Sequence, residues 1–164
     1  MQLIKAPNDF LKTKMDAFDF ESNDAPKIAE EMIRDMIKFN GVGLAANQVG
    51  LNGRIFVMKP QSGKPYAVIN PTIEKVSATS KLDIEGCLSF PNLFLYVNRP
   101  DKIDVNFLDI EGKNVKMLLE DFEARIFLHE FDHLEGITFD TRVSKFKLQI
   151  AKEKQRKLEK NKNG

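Results

Sequence analysis

DFEARIFLHEFDHLEG, residues 121–136, decides how the rest of the chain is read. Phe122, Ile126, Leu128/His129 and His133 recur on neighbouring turns, the period of a helix with one apolar face, and Gly136 stands where such a helix stops. The spacing predicts a helix over about Glu120–Leu134. His129 and His133 are the only histidines, and residues four apart on a helix share a face, so two imidazoles can grip one ion. Glu130 sits beside the first of them, where a carboxylate can receive a proton from an activated water. HExxH also arises as two satisfied core histidines, so the third ligand decides.

A further histidine three residues beyond Gly136 would mark one class of zinc peptidases, and that position is Phe139. Another class takes a glutamate some twenty residues on. Glu153 has that distance, but it lies in the most basic stretch, on what reads as a separate solvated helix. Cys87, the only thiol, remains. A thiolate is a strong ligand for Zn²⁺ or Fe²⁺, and a Cys-His-His set leaves one coordination position open. A lone cysteine is more often a small buried hydrophobe; beside an incomplete HExxH site, ligation is the better reading.

Outward from this helix, the 164 residues amount to one ordinary domain. At 42% hydrophobic and 30% charged the chain lies outside the disordered and collagen-like classes. One cysteine excludes an intramolecular disulfide and points to a reducing compartment. The N-terminal MQLIKAPNDFLKTKM has no apolar run suited to secretion, and no stretch of about 18 apolar residues exists to span a membrane. The expectation is a soluble, cytoplasmic, single domain over 1–164 with no membrane and no DNA partner. The net charge of +1 hides an asymmetry: Lys145–Gly164 holds eight Lys/Arg against two Glu, a local +6, which leaves −5 for the rest. That tail could meet an anion.

Asp24 and Pro26 precede IAEEMIRDMIKF, whose apolar residues have helical spacing, so a helix is expected over about Ala25–Phe39. RIFVMK (54–59), YAVIN (66–70) and residues 71–80 read as separate strands, and DIEGCLSFPNLFLYV (83–97) as a strand broken by a bend. KIDVNFLDIEGKNVKMLL forms the clearest hairpin, turning at Glu111-Gly112. Residues 143 to about 160 should form a basic C-terminal helix. Strands between terminal helices, with few strand–helix–strand alternations, indicate an α+β fold.

GVGLAANQ (41–48), EGCLS (85–89) and HEFDHLEG (129–136) resemble, in order and spacing, the three signature motifs of the peptide deformylases. The likeness extends over nearly the whole chain. It implies small antiparallel β-sheets around a central HExxH helix, with N-terminal and C-terminal helices. It also implies metal-dependent removal of the N-formyl group from the formyl-methionine of nascent polypeptides, with release of formate. Carried over, the pattern makes Cys87, His129 and His133 the metal ligands and Glu130 the acid/base. Gln48, through its side-chain amide, and Leu88, through its backbone N–H, would face the developing oxyanion. Gly43, with Val42, would run beside the substrate backbone, and Gly86 suits the same close passage. Val42, Phe122, Ile126 and His129 would line the methionine pocket. The family tends to use Fe²⁺, with Zn²⁺, Ni²⁺ or Co²⁺ found in its place, and its C-terminal helix docks on the ribosome.

The chain departs from the pattern at Phe94, where one main bacterial class often carries an arginine near the substrate; LFLY (93–96) offers an apolar lip instead. Leu128 stands where glutamine is common. Glu85 and Arg99 are placed to pair behind the cysteine strand and orient a ligand. Two other readings use the same residues: an HExxH metallopeptidase of other specificity, or an inactive metal-binding homologue. Cys87 as third ligand counts against the first, and intact Glu130 and Gln48 against the second.

Overall fold

The computed structural model describes all residues, Met1–Gly164. In chain order the elements are α1 (Ala25–Lys38), β1 (Gly43–Ala45), β2 (Ile55–Met58), β3 (Tyr66–Val76), β4 (Ser80–Cys87), β5 (Phe90–Pro100), β6 (Lys102–Leu108), β7 (Asn114–Glu120), α2 (Asp121–Leu134) and α3 (Lys145–Asn163). Five strands make one antiparallel sheet in the order β1-β2-β3-β6-β7, and β4 and β5 make a second of two strands. The architecture is α+β, as the patterning predicts.

Local chemistry explains most boundaries. The Asp24 side chain accepts from the Lys27 backbone N–H, and Pro in the first turn lacks a donor the helix would leave unpaired anyway. Ala25, Ala29, Met32 and Met36 then fall on one buried face of α1. β2 is buried throughout, with each face covered by a helix. Ile55 and Val57 join the cluster that holds Ala29, Met32 and Met36, whereas Phe56 and Met58 join Phe127 and Leu134 of α2. Period-two alternation in a four-residue strand thus divides the two main core clusters. The Phe56 and Phe127 rings meet edge to face at 5.1 Å between centroids.

Three boundaries differ from the sequence expectation. YAVIN and the following stretch are one strand, β3, which ends at Val76. Its pairing with β6 slips between Ile69 and Thr72, where Asn70 takes φ 48° and binds the backbone of Phe18, so the signal that suggested a break marks a bulge. The stretch read as one broken strand is the β4–β5 hairpin, paired from Ser80–Pro100 to Gly86–Phe94 with a shift at Cys87. The final helix runs to Asn163, and its Leu148 and Ala151 pack on a third cluster of Leu93, Leu95, Val97 and Phe139. Helix α2 contacts strands of both sheets.

Candidate metal centre and active site

His129 and His133 face the same way from the buried side of α2, ring centroids 5.1 Å apart, and Cys87 reaches them from the end of β4. One ligand atom from each lies within 4.8 Å of the others, with Cys87 Sγ 3.4 Å from His133 Nε2. The register shift between Gly86 and Cys87 takes the thiol out of regular pairing just where it meets the helix. Glu153 is exposed on α3, away from this cluster, and Phe139, the position tested for a third histidine, stacks tilted on His129 at 5.6 Å.

Buried ionic partners hold the ligands. Glu85 and Arg99 pair as expected, Nε to Oε1 at 2.7 Å, both almost wholly buried. Glu85 Oε1 also lies 3.6 Å from His129 Nδ1, which turns the other ring nitrogen towards the thiol. Arg99 continues to Asp132 at 2.9 Å, and Asp132 accepts from Arg142 at 2.6 Å. Asn47 donates to the backbone carbonyl of His133 at 2.7 Å. Arg125, buried on α2, donates to the carbonyls of Val97 and Lys81, each at 2.8 Å, and pins the helix to the β4–β5 hairpin. Sequence reasoning missed Asn47, Arg125 and Asp132. Their only signal was polarity at helix positions whose neighbours are apolar, and no spacing rule says what such groups bind.

Electrostatics separate the two histidines. Burial opposes charge on His129, but the Cys87 thiol and the Glu85 carboxylate outweigh it and hold its pKa well above the ordinary histidine value. Burial, reinforced by His129 and Arg99, holds His133 well below it. Burial works against the Glu85 carboxylate too, and His129 and Arg99 overcome it to lower its pKa. For Glu130 the balance goes the other way: burial, with Glu85 and Asp132, outweighs His129 and Arg99 and raises it to about 7. Its Oε2 and the Nδ1 of His133 are buried without hydrogen-bond partners.

A cavity of about 570 Å³ opens on this cluster. Val42, Gly43, Gln48, Gly86, Leu88, Phe122, Ile126 and Glu130 all line it, so each residue expected near substrate faces one space with Cys87 and His129. The short helix Ala46–Val49 carries Gln48 inward. The Gln48 Oε1 accepts from Ala45 N–H at 2.9 Å, so its amide nitrogen points at Ser89 Oγ (3.1 Å) and Cys87 Sγ (3.6 Å). Leu88 occupies the turn between β4 and β5. Phe122 and Ile126 stand one turn apart on α2, the first 40% exposed and the second buried.

The family model described as polypeptide deformylase matches residues 1–149. The chain belongs to the polypeptide deformylase family. The deformylase is 43% identical over 128 residues to a peptide deformylase of Thermotoga petrophila, covering 78% of this chain and 77% of that one. It is 34% identical over 164 residues to the chloroplastic peptide deformylase 1B of Oryza sativa subsp. japonica, across 98% of this chain and 61% of the plant protein. The crystal structure of the Thermotoga maritima peptide deformylase superimposes with a TM-score of 0.84 at 38% identity, covering 87% of this chain and 97% of that one. The deformylase is a metal-dependent hydrolase acting on formylated nascent peptides.

Its donor set fits the ion that activity needs. A thiolate and two imidazoles are ligands for Fe²⁺ or Zn²⁺, three protein ligands leave a position free for substrate, and the unpartnered Glu130 oxygen shares the cavity. No helix of the deformylase is long and apolar enough to cross a membrane.

Proposed function

We propose that the deformylase hydrolyses the N-terminal formyl-methionine amide with Glu130 as acid/base, Gln48 and Leu88 as oxyanion donors, and Fe²⁺ held by Cys87, His129 and His133. The observation that carries this reading is the convergence of the Glu130 carboxylate and the Gln48 amide nitrogen on a cysteine–histidine–histidine cluster in one cavity. A bound divalent ion supplies Lewis-acid chemistry, polarising the formyl oxygen and acidifying water. The chain's residues do the rest. Glu130 removes a proton from the attacking water as oxygen bonds to the formyl carbon. The Gln48 amide and the Leu88 N–H donate to the formyl oxygen as it gains charge, and such a donor is worth about 3–4 kcal/mol. Glu130 then gives its proton to the departing nitrogen. One water is consumed, the C–N bond breaks, and formate and a free amino terminus result.

Val42, Phe122 and Ile126 form part of the apolar wall of the cavity and are assigned to the methionine side chain; Gly43 and Gly86 let the substrate backbone pass close. Residues 1–164 work as one catalytic domain. The compartment is read as cytoplasmic, because a ligating thiol needs a reducing milieu, and chloroplastic relatives extend the same activity to an organelle. Formate release from formyl-Met-Ala-Ser, with no cleavage of its unformylated counterpart, tests the reaction. Peptide-bond cleavage would favour the metallopeptidase reading, and silence with every metal the inactive one. Elemental analysis of anaerobically purified protein tests Fe²⁺ against Zn²⁺, Ni²⁺ and Co²⁺.

The basic helix α3 is assigned to the ribosome. Leu148 and Ala151 cover core side chains, while Phe146 is 72% exposed and every lysine of the helix faces water. Truncation after Val143 would therefore bare part of the core, and charge reversal is the sharper test. Lys154→Glu, Lys157→Glu and Lys160→Glu together should abolish salt-sensitive co-sedimentation with bacterial ribosomes. Absence of co-sedimentation by the unmodified chain at low salt would make α3 purely structural.

A further inference from the structure

Residues directly opposite in an antiparallel pair project to the same side. On the β4–β5 hairpin, one side carries Glu85, Leu95, Val97 and Arg99, all buried, together with the exposed Lys81 and Asp83. The other side consists of Ser80–Pro100, Leu82–Asn98, Ile84–Tyr96 and Gly86–Phe94 and holds no charged residue. Its four large apolar side chains face solvent: Leu82 is 58% exposed, Ile84 50%, Phe94 54% and Tyr96 58%. An uninterrupted apolar strip on a protein with 30% charged residues marks a binding surface.

The strip begins inside the cavity already described. Ile84, Gly86 and Phe94 line it together with Cys87, His129 and Glu130. The Phe94 ring lies across Gly86, since a Cβ there would come within 3.1 Å of Cε1, so the exposed ring stands both in the cavity wall and at the start of the strip. From Gly86 to Leu82 the strand runs about 13 Å at ~3.3 Å per residue, the reach of roughly four residues of extended peptide. A second copy of the chain fits less well. The four side chains offer on the order of 400 Å², against about 800 Å² per partner in a standard interface.

We propose that this strip is a subsite for the nascent chain itself, receiving about its third to fifth residues and selecting apolar side chains there. Phe94 contacts the earliest of these residues, the opposed Ile84 and Tyr96 the next, and Leu82 the last. A charged substrate residue on the strip would lose hydration and find no counter-charge, so acidic and basic sequences are disfavoured. The proposal rests on the cavity being the deformylase active site.

The test compares kcat/KM for formyl-Met-Ala, formyl-Met-Ala-Leu-Leu and formyl-Met-Ala-Asp-Asp. The leucine peptide should exceed the aspartate peptide by about tenfold or more, mainly through KM, because the contact is the same in ground and transition states. The ratio within one protein cancels any general effect of a substitution. In Ile84→Lys/Tyr96→Lys that ratio should collapse or invert. Equal rates for the two longer peptides, or a preference unchanged in the double variant, would overturn the subsite while leaving the activity intact. No hydrolysis of formyl-Met-Ala by the metal-loaded wild-type protein would remove the active-site reading and the subsite with it. A concentration-dependent dimer that Tyr96→Lys dissolves would assign the strip to a second copy instead.

Discussion

Gly43→Ala adds one methyl group to the edge strand β1 and should disable the enzyme without touching the metal ligands. A Cβ at Gly43 would lie 2.8 Å from Glu130 Cδ and 2.9 Å from Cγ, and closer still to Oε1. Ordinary contact begins at 3.4 Å, so the carboxylate must retreat by 0.6 Å or more. Glu130 is 4% exposed and lines the cavity, so the carboxylate can give way only by swinging from its working position beside the ligand cluster. A displacement approaching 1 Å of a reacting group costs on the order of 100-fold in rate, and removal of a general base costs about 100- to 10,000-fold. We therefore expect kcat for formyl-Met-Ala-Ser to fall by roughly 100-fold in Gly43→Ala. Metal content should be unchanged, because the atoms nearest the new methyl all belong to Glu130, which is not a ligand. Steady-state kinetics with formate detection, beside elemental analysis of the same preparation, reads both quantities. A kcat within about twofold of wild type, with the metal retained, would refute the reasoning, because Glu130 would then work from a displaced position or not at all.

Further outcomes follow from the same geometry. Glu130→Gln should abolish turnover and retain metal, as the side chain moves protons and ligates nothing; near-normal deformylation would remove Glu130 from the mechanism. Cys87→Ser should lower metal content and activity together by replacing a soft thiolate with a poorly ionised hydroxyl, and survival of both would exclude Cys87 as a ligand. Gln48→Ala should lower kcat by about 100-fold with little change in KM, since its donor strengthens only as charge develops; a pure KM effect would contradict that role. Burial, aided by Glu123, raises Tyr66 to about 12. A phenol whose folded pKa exceeds its unfolded value keeps its contribution below the unfolded value near 10 and loses it as pH rises towards 12. Tyr66→Phe should therefore match wild type in denaturant midpoint at neutral pH and lose stability less steeply between pH ~10 and ~12. Parallel curves for the two proteins would show that Tyr66 ionises freely.

Much of this protein is legible without coordinates, because the deciding signals are local. Helical spacing in residues 121–136 sets α2, alternation around Glu111-Gly112 sets the β6–β7 hairpin, and capping by Asp24 sets the start of α1. The two histidines share a face by helix geometry alone. Cys87 could be named as third ligand by donor chemistry, since a protein with two histidines and one thiol has few ways to complete such a site.

Tertiary structure alone decides what depends on distant residues meeting. Bulges at Asn70–Thr72 and at Cys87 look like strand breaks in the sequence, because a pairing shift is defined only by the partner strand. The chain from Glu85 through Arg99 and Asp132 to Arg142 joins residues up to 57 positions apart, and burial converts ordinary surface residue types into a brace for His129. Gly43 could be read as permissive backbone, but only packing of β1 against α2 puts the Glu130 carboxylate where its side chain would be. The apolar strip of Leu82, Ile84, Phe94 and Tyr96 exists only once β4 and β5 are paired, because register decides which side chains share a face and whether that face looks to core or water.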